Sequence, residues 1–437
     1  MRNGKLKFPK KLMAALTAAV LSLSMAACGR QAESDDAFKP ALPADTACTI
    51  RVAGNYSNFE SLESEFERFY EYYPNASLNY VYLDNYNDTI GSALISDEAP
   101  DIYVTASWML GDSRFDTLFE NAEVLSDPSL NIDLDCIRES VRWTNEKGEV
   151  VMLPIFSRSY GMLVNMDIFE KNALSVPKDY GSLAEACEKL KAAGYENPVM
   201  GANKTTVAGM YYSFSFPLFC DNVIKNPGSA AALNSLERSS GEMLRPALER
   251  IKAFVDKKYM DPSRCSEEIE DDYNAVIMRF FEGDVPMMLG SGDMVSGTAK
   301  RESKSEAFAK APFKYKFYTV PVGDDGGYFL EAVSLFFSVN KKSGNLEMAN
   351  EFIRFLAREK ELGNMAAIKR LITPAGDFSL DEVYSSLEDF PQERSFSYHE
   401  TGLNDAADKE FRMAAYRVAN GEMTVDEAVE AYGRLWE

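Results

Sequence analysis

The hydrophobic pattern near the start of the chain alternates between strand-like and helix-like segments. Residues 49–53 alternate apolar and polar positions, as a half-buried strand does. Beyond them, Ser57 and Glu60 have the spacing of a capping box at a helix start. Apolar residues then recur at three- and four-residue steps, which predicts a buried helix face made of Phe59, Leu62, Phe66, Phe69, Tyr70 and Tyr73.

The same alternation continues and predicts a parallel sheet. Residues 78–83 and 101–105 are predicted strands, and residues 89–95 are a predicted short helix between them. This βαβαβ order is typical of an α/β fold with helices on the faces of a parallel sheet.

Further elements are predicted along the rest of the chain. Capping pairs Ser182 with Glu185 and Thr424 with Glu427 predict two helix starts, and residues 346–358 are amphipathic. Tyr212, Phe214 and Phe216 alternate as strand residues do, so packing is an alternative to ligand contact there. The other predicted strands are residues 161–164, 286–289 and 333–339. The last is a nearly continuous apolar run, typical of a buried parallel strand.

The N-terminus has the pattern of an export signal. Five cations and no acid in residues 1–11 precede a 16-residue uncharged stretch, residues 12–27, which is shorter than the about 20 residues of a membrane span. Small residues before Cys28 resemble the bacterial lipoprotein processing motif. We predict a signal peptide at 1–27, lipidation of Cys28, and a flexible tether at 28–47 leading to a domain that begins near Cys48. The mature protein is then extracytoplasmic, anchored to the cell membrane as a lipoprotein.

Composition narrows the candidate partners. The 437-residue chain has a formal charge of −22, and removing residues 1–27 makes it −27. So acidic a surface argues against nucleic acid as a partner. The length suggests two or three lobes. Five cysteines besides Cys28 imply no disulfide framework, and Cys187 and Cys220 are expected to be buried free thiols.

Motifs for common chemistries are missing from the sequence. His399 is the only histidine, so any nucleophilic pair with a histidine must use it. The sequence has no Walker loop, dinucleotide fingerprint or calcium loop, and neither a cofactor nor a metal site is predicted. The acidic run at 267–272 is most simply a solvated helix face. A pair of catalytic carboxylates, as in glycoside hydrolases, leaves no local signature and stays an alternative.

Several segments, in order, resemble the extracellular sugar-binding proteins of ABC importers, the family that includes maltose-binding protein. They cover nearly the whole mature chain and comprise residues 100–102, 153–155, 161–165, 168–169, 176–177, 183–194, 281–288, 320–321 and 349–356. Val164 and Tyr180 depart from the tyrosine and tryptophan usual in the family. The resemblance implies an α/β, two-lobed periplasmic-binding-protein-like fold with a hinged interlobe cleft.

The resemblance also implies a function without chemistry. The protein is expected to capture a carbohydrate, an oligosaccharide by preference, and deliver it to ABC permease subunits, as a monomer. Interlobe crossings near Ile155, Pro321 and Thr373 give an N-terminal lobe of 48–155 plus 322–372 and a C-terminal lobe of 156–321 plus 373–437. The alternatives are a polyol phosphate or polyamine ligand in the same fold, a surface glycoside hydrolase, or an adhesive surface lipoprotein.

Candidate ligand residues follow from the same resemblance. Ligands bind at the carboxyl ends of strands in such sheets, which selects Asn55, Tyr56, Asp84, Tyr86, Ser107 and Trp108. Position after the first crossing selects Arg158, Tyr211, Tyr212, Ser213 and Asp293, and later candidates are Tyr328, Tyr398 and His399. Trp108 is the expected aromatic platform for a sugar face, with a core role as the alternative.

Overall fold

The computed structural model describes residues 37–110, 112–201, 209–262, 273–296, 298–376, 380–388 and 390–436. Contacts divide the chain into two units, Met1–Pro43 and Ala44–Glu437, and the helices and strands below lie in the second. The predicted signal peptide, the lipidation site Cys28, the acidic run 267–272 and Cys265 lie outside the described residues. The first strand begins at Cys48, one residue before the predicted strand at 49–53.

The strands of the described residues belong to one curled sheet. They are β1 (Cys48–Gly54), β2 (Ala76–Tyr82), β3 (Ile102–Thr105), β4 (Leu153–Asn165), β5 (Val199–Met200), β6 (Met287–Ser291), β7 (Tyr315–Tyr318), β8 (Phe329–Val339) and β9 (Ser395–Ser397). Their order is β2-β1-β3-β8-β4-β6-β5, with β7 beside β4 and β9 beside β8.

The first three strands confirm the predicted parallel opening. β1 runs parallel to both β2 and β3. The direction predicted for residues 333–339 is wrong, because β8 is antiparallel to β3 and to β4. An apolar run reports burial on both faces of a strand, and a central antiparallel strand is buried in the same way as a parallel one.

β4 links the two ends of the sheet. Residues 153–159 pair with β8, whereas residues 160–165 pair with β6 and β7. Consecutive residues of one strand therefore belong to different sheet neighbourhoods. Arg158 and Tyr160 lie at this junction, and the strand backbone fixes both.

Helices cover both ends of the sheet. They are α1 (Glu60–Tyr70), α2 (Tyr86–Ala93), α3 (Asp116–Glu120), α4 (Met166–Lys171), α5 (Tyr180–Ala192), α6 (Gly209–Lys225), α7 (Ser229–Asn234), α8 (Arg245–Asp256), α9 (Tyr273–Phe280), α10 (Thr298–Lys304), α11 (Glu306–Lys310), α12 (Leu346–Leu356), α13 (Glu359–Lys369), α14 (Asp405–Ala419) and α15 (Val425–Glu430). Short 3₁₀ turns lie between several of them. Among the described residues, no helix is long and apolar enough to cross a membrane.

One of the three predicted helix caps is confirmed, and two are wrong. Thr424 and Glu427 form the predicted capping box of α15. α5 is instead capped by Asp179, whose carboxylate accepts from the Ser182 backbone N–H at 2.7 Å. At α1, Phe59 occupies the N-cap position without a side-chain cap, since Glu60 accepts from the Asn58 amide instead.

The inner face of α1 is nearly as predicted. Phe66 packs against Phe352 of α12, and Phe69 packs against Phe352 and Phe355, with ring centroids 5.0–5.5 Å apart. Tyr70 is the exception, because its side chain is 49% exposed. Its phenol is polar, and it lies at the edge of the apolar stripe, so water remains a suitable neighbour.

Residues 212–216 belong to a helix, α6, so the predicted strand alternation is wrong there. Tyr212 and Phe216 are one helical turn apart and their rings stack at 4.0 Å. The segment is aromatic on several faces because the helix is buried within the core around β4, β6 and β7. A helix buried on all sides loses its 3.6-residue signal, which is why the sequence misled.

The described cysteines form no disulfide. Cys48, Cys136, Cys187 and Cys220 are free thiols. Cys187 and Cys220 are fully buried, as predicted. Burial raises the pKa of Cys187 to about 12, so this thiol is not a nucleophile at neutral pH.

Candidate functional site

A cavity of about 350 Å³ lies where β4 and β8 pass from one part of the sheet to the other. The segment after β3, the segment 140–143, α6, the segment after β9 and the start of α14 complete its walls. Its aromatic lining residues are Trp108, Trp143, Tyr160, Tyr212 and Tyr398. Its charged lining residues are Arg158, Glu331, Asp405, Asp408 and Arg412. Aromatic rings and charged groups therefore line one cavity.

Two tryptophans present ring surface to the cavity. Trp108 follows β3 directly, is 36% exposed, and its ring meets Phe115 edge-on at 5.2 Å. Trp143 is half-buried, and its ring centroid lies 4.4 Å from that of His399. Each tryptophan is held by a second ring and keeps a face for a ligand, which suits the C–H face of a sugar.

We name the group of Arg158, Asp293, Ser334 and Tyr56 the Arg158 cluster. Arg158 on β4 forms an ion pair with Asp293, which follows β6. Asp293 also accepts a hydrogen bond of 2.6 Å from the Ser334 hydroxyl on β8. Burial and the nearby Asp293 carboxylate raise the pKa of the Tyr56 phenol, while a hydrogen bond with Ser334 opposes them. Four chain segments thus meet at one carboxylate.

The guanidinium of Arg158 is charged throughout the accessible pH range. Burial lowers the pKa of Arg158, but the Asp293 carboxylate together with Tyr160 and Tyr212 outweighs it, so the net shift of the pKa is upward. Its Nε is buried and has no hydrogen-bond partner among the described residues. A buried donor without a partner costs free energy.

We name the group of Arg412, Asp408 and Tyr212 the Arg412 cluster. Asp408 and Arg412 are one turn apart on α14 and form an ion pair of 3.0 Å. The Tyr212 hydroxyl donates to Asp408 at 2.6 Å, and the Arg412 guanidinium lies 5.0 Å from the Tyr212 ring centroid. The Arg412 Nε is also buried without a partner among the described residues. The two clusters adjoin through Tyr160, whose ring meets that of Tyr212 at 5.6 Å.

Glu331 forms a third polar group at the cavity. It pairs with Arg138, whose guanidinium also donates to the Thr373 carbonyl at 2.7 Å. The Ser140 hydroxyl donates to the other Glu331 oxygen at 3.2 Å. The carboxylate is only about one-twentieth exposed, so these donors fix its position.

The structure brings part of the predicted ligand residues together. The predicted residues that line the cavity are Ser107, Trp108, Arg158, Tyr212, Tyr398 and His399. Asp293 and Tyr56 adjoin it through Arg158 and Ser334. The carboxyl ends of β1, β3 and the β4 junction therefore converge, as expected when ligands bind at strand ends.

The other predicted ligand residues lie away from the cavity lining. Asn55 and Asp84 are exposed. Tyr86 is buried and its hydroxyl donates to the Val104 carbonyl at 2.6 Å, which is a packing role. Tyr328 is also buried, with its ring near the Lys225 amine.

Tyr211 and Ser213 flank a cavity residue but face the core. Successive residues of a helix point about 100° apart, so only Tyr212 of the three reaches the cavity. Tyr211 is fully buried, and its hydroxyl donates to the Gly201 and Asp261 carbonyls at 3.2 Å. Ser213 is also buried. The sequence could not separate these three, because it predicted a strand.

Sequence reasoning missed most of the cavity lining. The missed aromatic and polar residues are Ser140, Trp143, Tyr160, Glu331, Ser334, Asn404, Asp405, Asp408 and Arg412. Trp143 carried a signal, since a tryptophan in a polar stretch is unusual for a core. Asp408 and Arg412 have the i, i+4 spacing of any exposed helix pair, so nothing local distinguished them.

The described residues contain no group of three or more histidine, cysteine, aspartate or glutamate side chains placed to hold a metal ion. The ring of His399, the only histidine of the sequence, contacts the ring of Trp143. Partial desolvation lowers the pKa of His399, so its imidazole is neutral at neutral pH. The arrangement can bind and orient a polar solute.

Comparison with known protein families gives one match. The family model described as bacterial extracellular solute-binding protein matches residues 66–392. A search of the curated proteins finds no match.

Many solved structures resemble the chain. The GacH receptor of Streptomyces glaucescens, studied unliganded and with acarbose, shares 17% identity over 89% of this chain and 97% of its own, with a TM-score of 0.67. RafE of Streptococcus pneumoniae, in complex with raffinose, shares 16% sequence identity over 90% of this chain and 100% of its own, with a TM-score of 0.65. A Bacillus licheniformis sugar transporter in complex with stachyose shares 16% sequence identity over 89% of this chain and 100% of its own, with a TM-score of 0.61. These neighbours are two-lobed binding proteins, and the likeness confirms the predicted fold class.

Proposed function

Because the chain belongs to the bacterial extracellular solute-binding protein family, as the sequence resemblance predicted, we propose that it captures an oligosaccharide and delivers it to the permease of an ABC importer. The observation that carries this proposal is the pairing of two accessible tryptophan rings, Trp108 and Trp143, with charged side chains in one cavity. Sugars present C–H faces to rings and hydroxyls to planar polar groups. The structural neighbours bound to raffinose, stachyose and acarbose support the same ligand class.

The proposed lobes are residues 48–155 plus 322–372 and residues 156–321 plus 373–437. With these boundaries, Trp108 and Trp143 belong to the first lobe, and Tyr212 and Arg412 to the second. The cavity then lies between the lobes and would close by hinge rotation. β4 is one connection, and residues 370–373 are another, since Ser157 and Ile372 exchange backbone hydrogen bonds of 2.8 and 3.1 Å.

The proposed anchor is a lipid on Cys28. Family membership implies an extracytoplasmic location, and the anchor would keep the protein beside its permease. Cys28→Ser should release the protein from the membrane fraction without unfolding it, because no helix or strand of the described chain precedes Cys48. Recovery of the processed variant in membranes would contradict lipidation.

A glycan panel tests the ligand class. Thermal unfolding of the full chain in detergent is measured with and without each neutral, acidic and basic oligosaccharide, and with polyol phosphates and polyamines as competing classes. Ligand at 100 times its Kd should stabilise the native state by about 2.7 kcal/mol. A shift with an oligosaccharide supports the proposal, and a shift with only a phosphate or polyamine overturns it. Release of new reducing ends during incubation would indicate a glycoside hydrolase instead.

Small-angle scattering tests the hinge. Ligand that draws two lobes together should reduce the radius of gyration. An unchanged scattering profile at saturating ligand would contradict hinge closure while leaving the ligand class intact.

A further inference from the structure

We propose that the cavity selects uncharged oligosaccharides, and that three aspartates, Asp293, Asp405 and Asp408, together with Glu331 enforce this by neutralising the cations around them. This inference rests on the proposed function and names the ligand class within it. Its basis is that each charged side chain lining the cavity is already paired.

The two arginines that line the cavity each have a carboxylate partner. Arg158 pairs with Asp293, and Arg412 pairs with Asp408 at 3.0 Å. Neither guanidinium is therefore an open anion site, although both lie at the ligand cavity.

The two remaining carboxylates of the lining are paired as well. Asp405 lies 2.6 Å from the Lys409 amine, and Glu331 pairs with Arg138. The cavity and its immediate partners thus carry four positive and four negative side chains. His399 adds no charge at neutral pH, because desolvation lowers its pKa.

Charge balance determines what the cavity can accept. A ligand carboxylate or amine must lose its hydration on entry, and it would have to break an existing ion pair to gain a counterion, which leaves another charge unpaired. A uronic acid and a polyamine are disfavoured for the same reason. The chain as a whole carries a charge of −22, which adds to the repulsion of anions.

Neutral ligand hydroxyls can hydrogen-bond in the cavity without breaking an ion pair. Arg158 and Arg412 line the cavity, and a guanidinium has five N–H donors, more than its one carboxylate partner accepts. A hydroxyl oxygen can accept from a remaining donor without disturbing either ion pair, and charge-assisted hydrogen bonds of this kind are stronger than neutral ones. The arginines therefore act as donors and not as net charges.

Pairs of closely related disaccharides, one neutral and one charged, test the wild-type protein. Calorimetric titration of the full chain compares galactobiose with digalacturonate, and N,N′-diacetylchitobiose with the deacetylated glucosamine dimer, with raffinose and stachyose as further neutral probes. We expect the neutral member of the binding pair to bind at least tenfold more tightly, with an affinity that changes less than twofold between low and high salt. Tighter binding of an acidic or basic member overturns the inference but leaves the carbohydrate function standing. Binding of no carbohydrate overturns both.

Variants test whether the carboxylates set the selectivity. Asp408→Asn retains an acceptor for the Tyr212 hydroxyl but leaves Arg412 with a net positive charge. We expect it to shift the affinity ratio at least tenfold toward the acidic probe, with a salt dependence that the wild-type protein lacks. Asp293→Asn, which acts on Arg158, is the second variant if the first does not fold.

Asp426→Asn is the matched control. Asp426 pairs with Arg245 at 2.6 Å on an exposed surface away from the cavity, so the same substitution there should leave the ratio unchanged. If Asp408→Asn and Asp293→Asn fold and keep the wild-type ratio, the carboxylates do not determine selectivity.

Discussion

The Arg158 cluster and the Arg412 cluster are built from the same parts in different ways. Each contains an arginine, an aspartate and a tyrosine, and each leaves a buried Nε without a partner among the described residues. The Arg412 cluster joins one turn of α14 to α6. The Arg158 cluster joins β4, the loop after β6, β8 and the loop after β1.

The two clusters differ in whether their members belong to one proposed lobe or to both. With the proposed boundaries, the Arg412 cluster lies within the second lobe, whereas Tyr56 and Ser334 of the Arg158 cluster belong to the first lobe. Hinge rotation would leave the Arg412 cluster intact but would move the partners of Asp293. We therefore expect similar ligand effects from the two clusters and different effects on closure.

Removal of the partly buried Asp293 carboxylate should have the largest effect. Asp293→Ala leaves the Arg158 guanidinium without its partner. Breaking a buried pair costs about 3–5 kcal/mol, and partial exposure of both side chains, 30% and 24%, reduces this to about 2 kcal/mol of unfolding free energy. Urea unfolding measures the loss, and scattering of the ligand-free protein should also change.

Asp408→Ala is the comparison variant for that measurement. It should cost a similar unfolding free energy without altering the ligand-free scattering profile. Equal scattering changes in both variants would contradict the assignment of conformation to the Arg158 cluster alone.

Trp108 should matter for ligand affinity more than for stability. Its ring is 36% exposed and outside both clusters. Trp108→Ala should weaken binding by more than about 1.4 kcal/mol, a tenfold rise in Kd, with a small change in melting temperature. Trp436→Ala removes another exposed tryptophan, 47% exposed, away from the cavity, and it controls for the general loss of a ring. A fall of many degrees in the melting temperature with normal binding by the folded fraction would make Trp108 a core residue.

The Tyr212 hydroxyl tests the interior of the Arg412 cluster. Tyr212→Phe removes the hydrogen bond to Asp408 and keeps the ring stacked on Phe216. One lost hydrogen bond to a charged group should cost about 1.5–3 kcal/mol if the carboxylate is left unsatisfied, and about 1 kcal/mol here because Arg412 still pairs with it. Urea unfolding measures the change, and closure should be unaffected.

Lys409 should give the smallest effect. Its pair with Asp405 has the i, i+4 geometry, with side chains 35% and 28% exposed. Lys409→Ala should cost about 0.5 kcal/mol of unfolding free energy, and the difference from wild type should vanish at high salt. A loss of unfolding free energy that persists in high salt would show that this pair is shielded from solvent, as the pairs of the two clusters are.

Local sequence patterns predicted much of the fold. The βαβαβ opening, the helix that begins at residue 346, the α15 cap and the buried thiols Cys187 and Cys220 are as predicted, although that helix ends at Leu356 and not at residue 358. These features depend on residues close in sequence or on simple burial. The predicted direction of β8 and the strand at residues 212–216 failed because burial on all sides removes the periodicity that distinguishes the alternatives.

The amino-acid sequence by itself determined the family, the α/β class and the positions at strand ends, including Trp108 and Arg158, because ordered motifs and strand boundaries are local. Only the tertiary structure decided which charges meet. Arg158 and Asp293 are 135 residues apart and Tyr212 and Asp408 are 196 apart, and no local pattern selects one carboxylate among the 68 acidic residues of the chain. Pairing of distant charges depends on how β4, β8 and α14 pack, since the interaction depends on distance in space and not along the chain.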